Sequence, residues 1–527
     1  MQEEYLISRK RIFGATVIVI IATLLSKVSG LVRDQIMAGY FGINYDTDAF
    51  TWAYFIPNLF RILFAESLIV AAFIPIYSSY INRDEKKKEL ELFVNSVLNV
   101  MILAFFVIST IIFIFSPQIG VLLSRITGSE LSITRFSLMS RIMIFSMLTM
   151  SLSGLAASIL NSHYIFTAPS VAPLAMNVIT IIFIIFLSAR TGIVSMALGV
   201  MVGSVFHLAI QLPQLRVSKI KYSFGIDFRS KPVKDFFSMA LPILLSLGAV
   251  ELNNGVDNFF ALNLGAGNTT ALTLSWRVAN LPLGVFSVAI ITVLYPLLSR
   301  QASEGDLRGL KETFSLGIRE IGYVMVPATV GLIVLSHPVI KLLFEYNQFG
   351  ASDTERVSSI LIFHSIGLLF FGLLMILNRI FYSFKNVYTP LKVALISIVV
   401  NFILDWILVK FMGAGGLALS TSLVAICNVV ILLIVLRKKV GSLDGKRIVV
   451  SYIKIFLSSL IMGTVVFFVW KHLDALAYRG VGVLILILFG VIALGVGVYA
   501  GCTILFKMDE SRFVISLLKG LKEKQRI

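Results

Sequence analysis

Four basic residues, Lys27, Arg33, Arg61 and Arg277, stand inside apolar stretches of this 527-residue chain, as do the acids Asp34, Asp48, Glu66, Asp257 and Asp405. A charge at bilayer depth costs about 2.5–3.5 kcal/mol on insertion scales, so it faces a cavity, a partner or a ligand. Neither Arg61 nor Arg277 has an acid three or four residues away, the spacing that pairs side chains along one helix. Glu66 follows Arg61 by five and points well round the helix from it. Each guanidinium therefore calls for a carboxylate on another helix or for a ligand. Phosphate suits arginine, whose planar fork donates paired hydrogen bonds and never loses its charge. Lys27 and Asp34, seven apart, would share one helix face, and Ser26, Ser29 and Gly30 between them predict local unwinding. Arg33, Asp34, Asp46 and Asp48 gather at the far end of the same region. For the acids a salt-bridge latch is the preferred reading, and for Arg33 contact with an anion.

A second constellation is acidic. Asp257 follows Asn253 and Asn254 by one turn, Asn401 and Asp405 are four apart on one helix face, and Thr421 comes after a break at Gly415-Gly416. Two carboxylates, an amide oxygen and a hydroxyl suit a hard cation such as Na⁺, with a backbone carbonyl completing the set. The alternative is a hydrogen-bonded cluster that staples three helices. The histidines are scattered, Cys427 and Cys502 lie far apart in apolar runs, and no phosphate-binding glycine loop occurs. No enzyme chemistry is expected, and no cofactor beyond the candidate Na⁺.

The elements that must position these residues are membrane helices. The chain is 57% hydrophobic and 14% charged, against roughly 45–50% and about 25% in soluble domains. An all-α polytopic membrane protein is expected, with about 14 transmembrane helices. At about 20 residues per crossing, they fall near 12–39, 48–80, 90–116, 134–160, 166–189, 192–215, 234–264, 269–300, 312–336, 354–384, 388–411, 414–437, 448–471 and 480–506. The first resembles a signal peptide but leads on without a small-x-small cleavage pattern, so it reads as a retained helix. The net charge of +17 reflects loop lysines and arginines on one side, which puts both termini in the cytoplasm and argues against nucleic acid as a partner.

An internal repeat divides the chain. Ile56-Pro57-Asn58-Leu59 and Ile74-Pro75-Ile76-Tyr77-Ser78 are answered by Asn280-Leu281-Pro282-Leu283 and Tyr295-Pro296-Leu297-Leu298-Ser299. An even number of crossings between the copies implies two parallel six-helix lobes around a central cavity. The expected division is 1–216 for the N-terminal lobe, 217–233 for a polar cytoplasmic linker and 234–438 for the C-terminal lobe. Two further helices span 439–507, and 508–527 reads as an amphipathic cytoplasmic tail. Pro57 and Pro282 each free a carbonyl and mark a hinge or a static kink.

Lys27-Val28-Ser29-Gly30-Leu31-Val32-Arg33-Asp34, Thr47-Asp48-Ala49-Phe50, Ile56-Pro57-Asn58-Leu59-Phe60-Arg61 and Phe64-Ala65-Glu66 together resemble the MurJ (MviN) family. These are the lipid II flippases of bacterial cell-wall synthesis, within the multidrug/oligosaccharidyl-lipid/polysaccharide (MOP) exporter superfamily. The resemblance implies alternating access in the bacterial inner membrane, serving peptidoglycan biosynthesis and cell shape. Its substrate would be undecaprenyl-pyrophosphate-linked disaccharide-pentapeptide, carried by a monomer among membrane lipids. It implies substrate-binding roles for Lys27, Arg33, Arg61 and Arg277, and gate or ion-pair roles for Asp34, Asp48 and Glu66. It also implies a sodium site at Asp257, Asn401, Asp405, Thr421 and the Leu417 carbonyl, and a lipid-tail groove at the last two helices. Lys27 departs from the arginine many members carry, so paired donation to phosphate is lost there. Two alternatives are a flippase for another undecaprenyl-pyrophosphate glycan and a cation-coupled drug antiporter of the same superfamily. The second would want acids and aromatics rather than Arg61 and Arg277 in its cavity.

Overall fold

The computed structural model describes residues 2–81, 84–128, 132–384 and 386–511, and among them there are helices and connections but no strand. Helix α1, Gln2–Phe41, is continuous. The unwinding expected at Ser26–Gly30 does not occur. Ser29 donates to the Ser26 carbonyl (2.8 Å), and Asn177 donates to that carbonyl (3.2 Å) and to Ser29 Oγ (3.0 Å). The polar groups find partners with the helix intact.

Helix α2, Tyr45–Phe60, starts at Asn44, whose side chain accepts from the Asp46 and Thr47 amides while Thr47 reaches back to the Asn44 amide. Such reciprocal capping satisfies amides that have no partner inside the helix. Beyond Pro57 the chain widens into a π-helical segment, Arg61–Phe73, then resumes as α3, Ile74–Tyr80. The repeat copy behaves alike. Helix α9, Asn268–Pro282, opens into a π-helical turn at Leu283–Ser287 before α10, Val288–Glu304. Both prolines thus precede widened turns, a feature frequent at functional sites.

The other helices are α4 Lys87–Thr127, α5 Ile133–Ser162, α6 Thr167–Thr191, α7 Val194–Ala209, α8 Lys231–Leu262, α11 Leu307–Val334, α12 Ser336–Phe344, α13 Ala351–Ile366, α14 Leu368–Ser383, α15 Tyr388–Val440, α16 Gly445–Ala477 and α17 Val481–Leu505. By length and composition, nine helical stretches among the described residues qualify as membrane crossings, or ten with the bent pair α13–α14. That measure alone falls short of fourteen. Helix α15 is in fact two arms. Gly413 is non-helical (φ 55°, ψ −136°), and a Cβ on Gly416 would meet the Leu408 carbonyl at 2.4 Å. Eight helical residues rise about 12 Å, so that approach means the second arm folds back on the first. The break is at Gly413, where positive φ favours glycine. Gly415 and Gly416 serve the close packing after it.

The chain forms two compact units. Unit 1 holds residues 1–255, 262–270 and 346–349, and unit 2 the remainder. In unit 1, α6 and α7 meet through Gly199 and Gly203, where added Cβ atoms would lie 2.8 Å from Thr180 Cα and 2.9 Å from the Met176 carbonyl. Small residues at this spacing let membrane helices approach closely. An apolar core of Phe73, Tyr77, Phe93, Phe105 and Met147 fixes the π-helical segment against α4 and α5. The core of unit 2 is built from Leu298, Phe314, Ile321, Ile376, Phe381 and Leu436, and α16 and α17 pack on each other beside α11. The tail begins buried: Glu510 pairs with Arg319 and accepts from Ser451 (2.9 Å). The rest of the expected amphipathic segment, from 512 on, lies outside the described residues.

Candidate functional site

Unit 1 holds three of the four basic candidates. Arg33 is buried on α1, with Nε (3.2 Å) and Nη2 (2.9 Å) on Asp34 Oδ1 and Nη1 on Asn177 Oδ1 (3.2 Å). Its fork is therefore held by a neighbouring acid and an amide from α6. Asn177 was not foreseen; a single amide within an apolar helix was the signal available. Lys27, two turns earlier on α1, is exposed. Arg61 is half-buried and donates through Nε (3.2 Å) and Nη2 (3.0 Å) to Asn58 Oδ1. Its orientation follows from its neighbours. Phe60 and Phe64 stack on each other, and each meets Phe105 in a T-shaped contact, centroids 5.9 and 4.8 Å away. One residue after Phe60, Arg61 is turned roughly 100° from that aromatic face.

The acids nearby divide. Asp46 pairs with Arg135 at the surface of the unit. Asp48 is fully buried and accepts from the Gly267 amide (2.7 Å), the Thr270 amide (2.9 Å) and the Thr270 hydroxyl (2.8 Å). The opening amides of a helix lack partners within it and carry the positive end of its dipole, so a carboxylate is favoured there. Asn268, the first residue of α9, donates to the Leu264 and Gly265 carbonyls. Tyr346 donates to the Gln35 carbonyl, and the Gln348 amide to the Gly39 carbonyl (3.0 Å). The Glu66 side chain lies outside the described residues.

In unit 2, Arg277 is half-buried on α9, five residues before Pro282. Next to it Trp276 sets its ring edge-on to Phe371 at 5.0 Å, and Ser275 meets His364 Nδ1 at 3.0 Å, so the α9 backbone around Arg277 is firmly seated.

The acidic constellation comes together. Asn401 Nδ2 bridges Asp257 Oδ1 (2.5 Å) and Asp405 Oδ2 (2.9 Å). Thr421 donates to Asp257 Oδ2 (2.7 Å) and lies 3.1 Å from the Leu417 carbonyl. Ser420, not foreseen, approaches Asn401 Oδ1 at 3.4 Å. Asn254 turns to Glu251 (3.4 Å). Among the described residues neither Asp257 nor Asp405 is in an ion pair. Asp405 Oδ1 is buried with no hydrogen-bond partner among the described residues. As it stands the cluster is closed by hydrogen bonds from the Asn401 NH₂ and the Thr421 hydroxyl, with Asp405 Oδ1 left over. Its carboxylate, amide and hydroxyl oxygens are the donor types that a hard cation takes.

This arrangement of helices is shared with known transporters. A structure described as an inward-facing multidrug resistance MATE family transporter of the MOP superfamily matches with a TM-score of 0.65 at 14% identity, over 81% of this chain and 99% of that one. The fold is thus the all-helical, polytopic membrane fold of that structure. A closer likeness is the structure described as "Lipid II flippase MurJ, inward closed conformation", with a TM-score of 0.77 and 29% identity over 94% of this chain and 99% of that one. The family described as lipid II flippase MurJ matches residues 37–490. Among its relatives, the probable lipid II flippase MurJ of Vibrio cholerae serotype O1 is 31% identical over 80% of this chain and 82% of its own length. The Thermotoga maritima counterpart is 30% identical over 93% and 96%. The chain belongs to the MurJ family.

Proposed function

We propose that this protein is a lipid II flippase, which moves the undecaprenyl-pyrophosphate-linked peptidoglycan precursor from the cytoplasmic to the periplasmic leaflet by alternating access. The observation that carries this reading is the family match across residues 37–490, which takes in Asp48, Arg61, Arg277 and the whole acidic cluster. The chemistry agrees with it. A pyrophosphate with a charge of about −2 loses hydration on entering the bilayer region, where charge is penalised, and arginine donors replace that hydration. Arg33, Arg61 and Arg277 supply paired donors and Lys27 a point charge. Arg33 in this conformation holds Asp34 and Asn177, so an arriving phosphate competes with a carboxylate for it.

Asp257, Asn401, Asp405, Thr421 and the Leu417 carbonyl would hold Na⁺, which supplies positive charge between the two carboxylates. The protein acts as a monomer in the inner membrane with both termini cytoplasmic, and α16 and α17 receive the lipid tail. Cysteines introduced at Tyr222 and Asn268 test the orientation: they should label from opposite sides of the membrane. The functional test is rescue of cells depleted of their own lipid II flippase. Restored growth with lipid II reaching the outer leaflet is expected. Normal membrane levels without rescue would overturn the reading and turn attention to another undecaprenyl-pyrophosphate glycan.

A further inference from the structure

The connection between α7 and α8 is the stretch that the sequence marks as a polar linker. After a 3₁₀ turn, Leu212–Ser218, residues 219–227 form neither helix nor strand, yet the segment is tied down. Asn95 on α4 donates to the Lys221 carbonyl (2.9 Å), and Asn99 to the Ser223 (3.0 Å) and Gly225 (2.8 Å) carbonyls. Ser96 accepts from the Asp227 amide (2.9 Å), and Tyr222 donates to Asn99 Oδ1 (3.0 Å). Asn95, Ser96 and Asn99 are all buried, inside a helix otherwise rich in apolar residues. Carbonyls two residues apart facing one helix are the signature of an extended chain. Helix α4 thus carries a built cradle for an extended strap.

What the strap presents outward is apolar. Tyr222 is 61% exposed, Phe224 93%, Ile226 39% and Phe228 57%, at alternate positions. Lys219, Lys221, Arg229 and Lys231 flank and interleave them. Exposed aromatic side chains beside lysine and arginine are the composition of a membrane–water interface, where rings sit at the headgroup level and cations meet anionic lipids. The height agrees. On α4 a sustained run of exposed apolar side chains begins at Leu103 and continues through Phe106, Val107, Ile111 and Ile114. Asn99 lies four residues before Leu103, about 6 Å along the helix, which is roughly the depth of the headgroup layer outside the hydrocarbon.

We propose that residues 219–229 are a membrane-surface strap. Phe224, Ile226 and Phe228 enter the headgroup–acyl boundary of the leaflet where α4 begins, and the flanking cations bind anionic headgroups. Asn95, Ser96 and Asn99 hold the strap at that height by its backbone, so the side chains of Phe224, Ile226 and Phe228 stay available to lipid. The strap follows α7 in the chain and leads directly into α8.

The test uses the full chain with Cys427 and Cys502 replaced by alanine, and a nitroxide placed at Phe224→Cys or Ile226→Cys. The protein is reconstituted in phosphatidylcholine vesicles, with or without phosphatidylglycerol. Collision rates with oxygen, which concentrates in the bilayer, are compared with those of a water-soluble nickel chelate. Ser303→Cys, at the exposed end of α10, serves as the aqueous reference. Oxygen collisions at 224 and 226 should exceed nickel collisions several-fold relative to position 303, and phosphatidylglycerol should widen the ratio. Nickel accessibility equal to that at 303 overturns the proposal. Shielding from both reagents also overturns it, because a protein surface would then cover the strap. Asn99→Leu, which removes two donors to the strap, should sharpen the spectrum at 224 through greater mobility. An unchanged spectrum in that folded variant refutes the anchoring role of α4.

Discussion

Replacing Asp48 with alanine should release the start of α9. The buried carboxylate takes three hydrogen bonds of 2.7–2.9 Å, two of them from backbone amides that α9 cannot satisfy within itself. Hydrogen bonds to a charged group are worth about 1.5–3 kcal/mol each, and leaving a buried donor unpaired costs about 1–3 kcal/mol. Water entering the space left by the side chain recovers part of this. A local destabilisation of about 2–5 kcal/mol remains, equivalent to roughly 30- to 4,000-fold faster amide exchange at Gly267 and Thr270 if exchange there proceeds by local opening. Asp48→Asn should fall between alanine and wild type, because its oxygen still accepts while its NH₂ faces donors and its charge is gone. Hydrogen-exchange mass spectrometry on peptides covering 262–272 reads this directly, with the buried stretch of α5 as a control for global folding. Unchanged protection at 262–272 in a folded Asp48→Ala protein would refute the docking of α9 by this acid.

The remaining predictions concern the other charged sites. Na⁺ should raise the wild-type melting temperature over K⁺ and Asp257→Asn should abolish that rise, since a ligand that binds only the folded state stabilises it; wild-type melting indifferent to Na⁺ would favour a plain hydrogen-bonded staple. Arg61→Ala and Arg277→Ala should each abolish lipid II export in cells at normal expression, with lysine restoring only part of it because the paired donors are lost. Arg277→Glu should be worse than alanine for an anionic substrate, and normal export by either alanine variant would make that arginine structural. Glu345, in the loop after α12, is shifted up by partial burial but further down by hydrogen bonds from Lys341 (2.5 Å) and Thr354 (2.7 Å), leaving its carboxyl below the usual range. A depressed carboxyl contributes stability above its unfolded-state value and loses it as pH falls through the folded one. The wild-type melting temperature should therefore drop more steeply than that of Glu345→Gln on acidification below the ordinary glutamate range, and parallel curves would refute the linkage.

Membrane insertion and helical content were legible in the residues themselves, because apolar runs of about 20 residues have no other stable home than a bilayer. The i,i+4 pair Asn401 and Asp405 could be placed on one face by helical period alone, and the unusual charges stood out because the surrounding composition makes each of them costly. Pro57 and Pro282 announced breaks in their helices through the missing amide. Partner choice across the bundle was not legible. Arg33 meets Asn177, 144 residues away, and Asp257 meets Asn401 across the same separation. Asp48 seats the start of α9 from 219 residues upstream. The linker was legible as polar by its charge count, but not that Asn95, Ser96 and Asn99 hold its backbone on α4. Local periodicity sets which side of a helix a residue occupies. Which helix that side faces is decided by the packing of all the helices together, through shallow contacts such as those of Gly199, Gly203 and Gly416, none of which selects a partner alone.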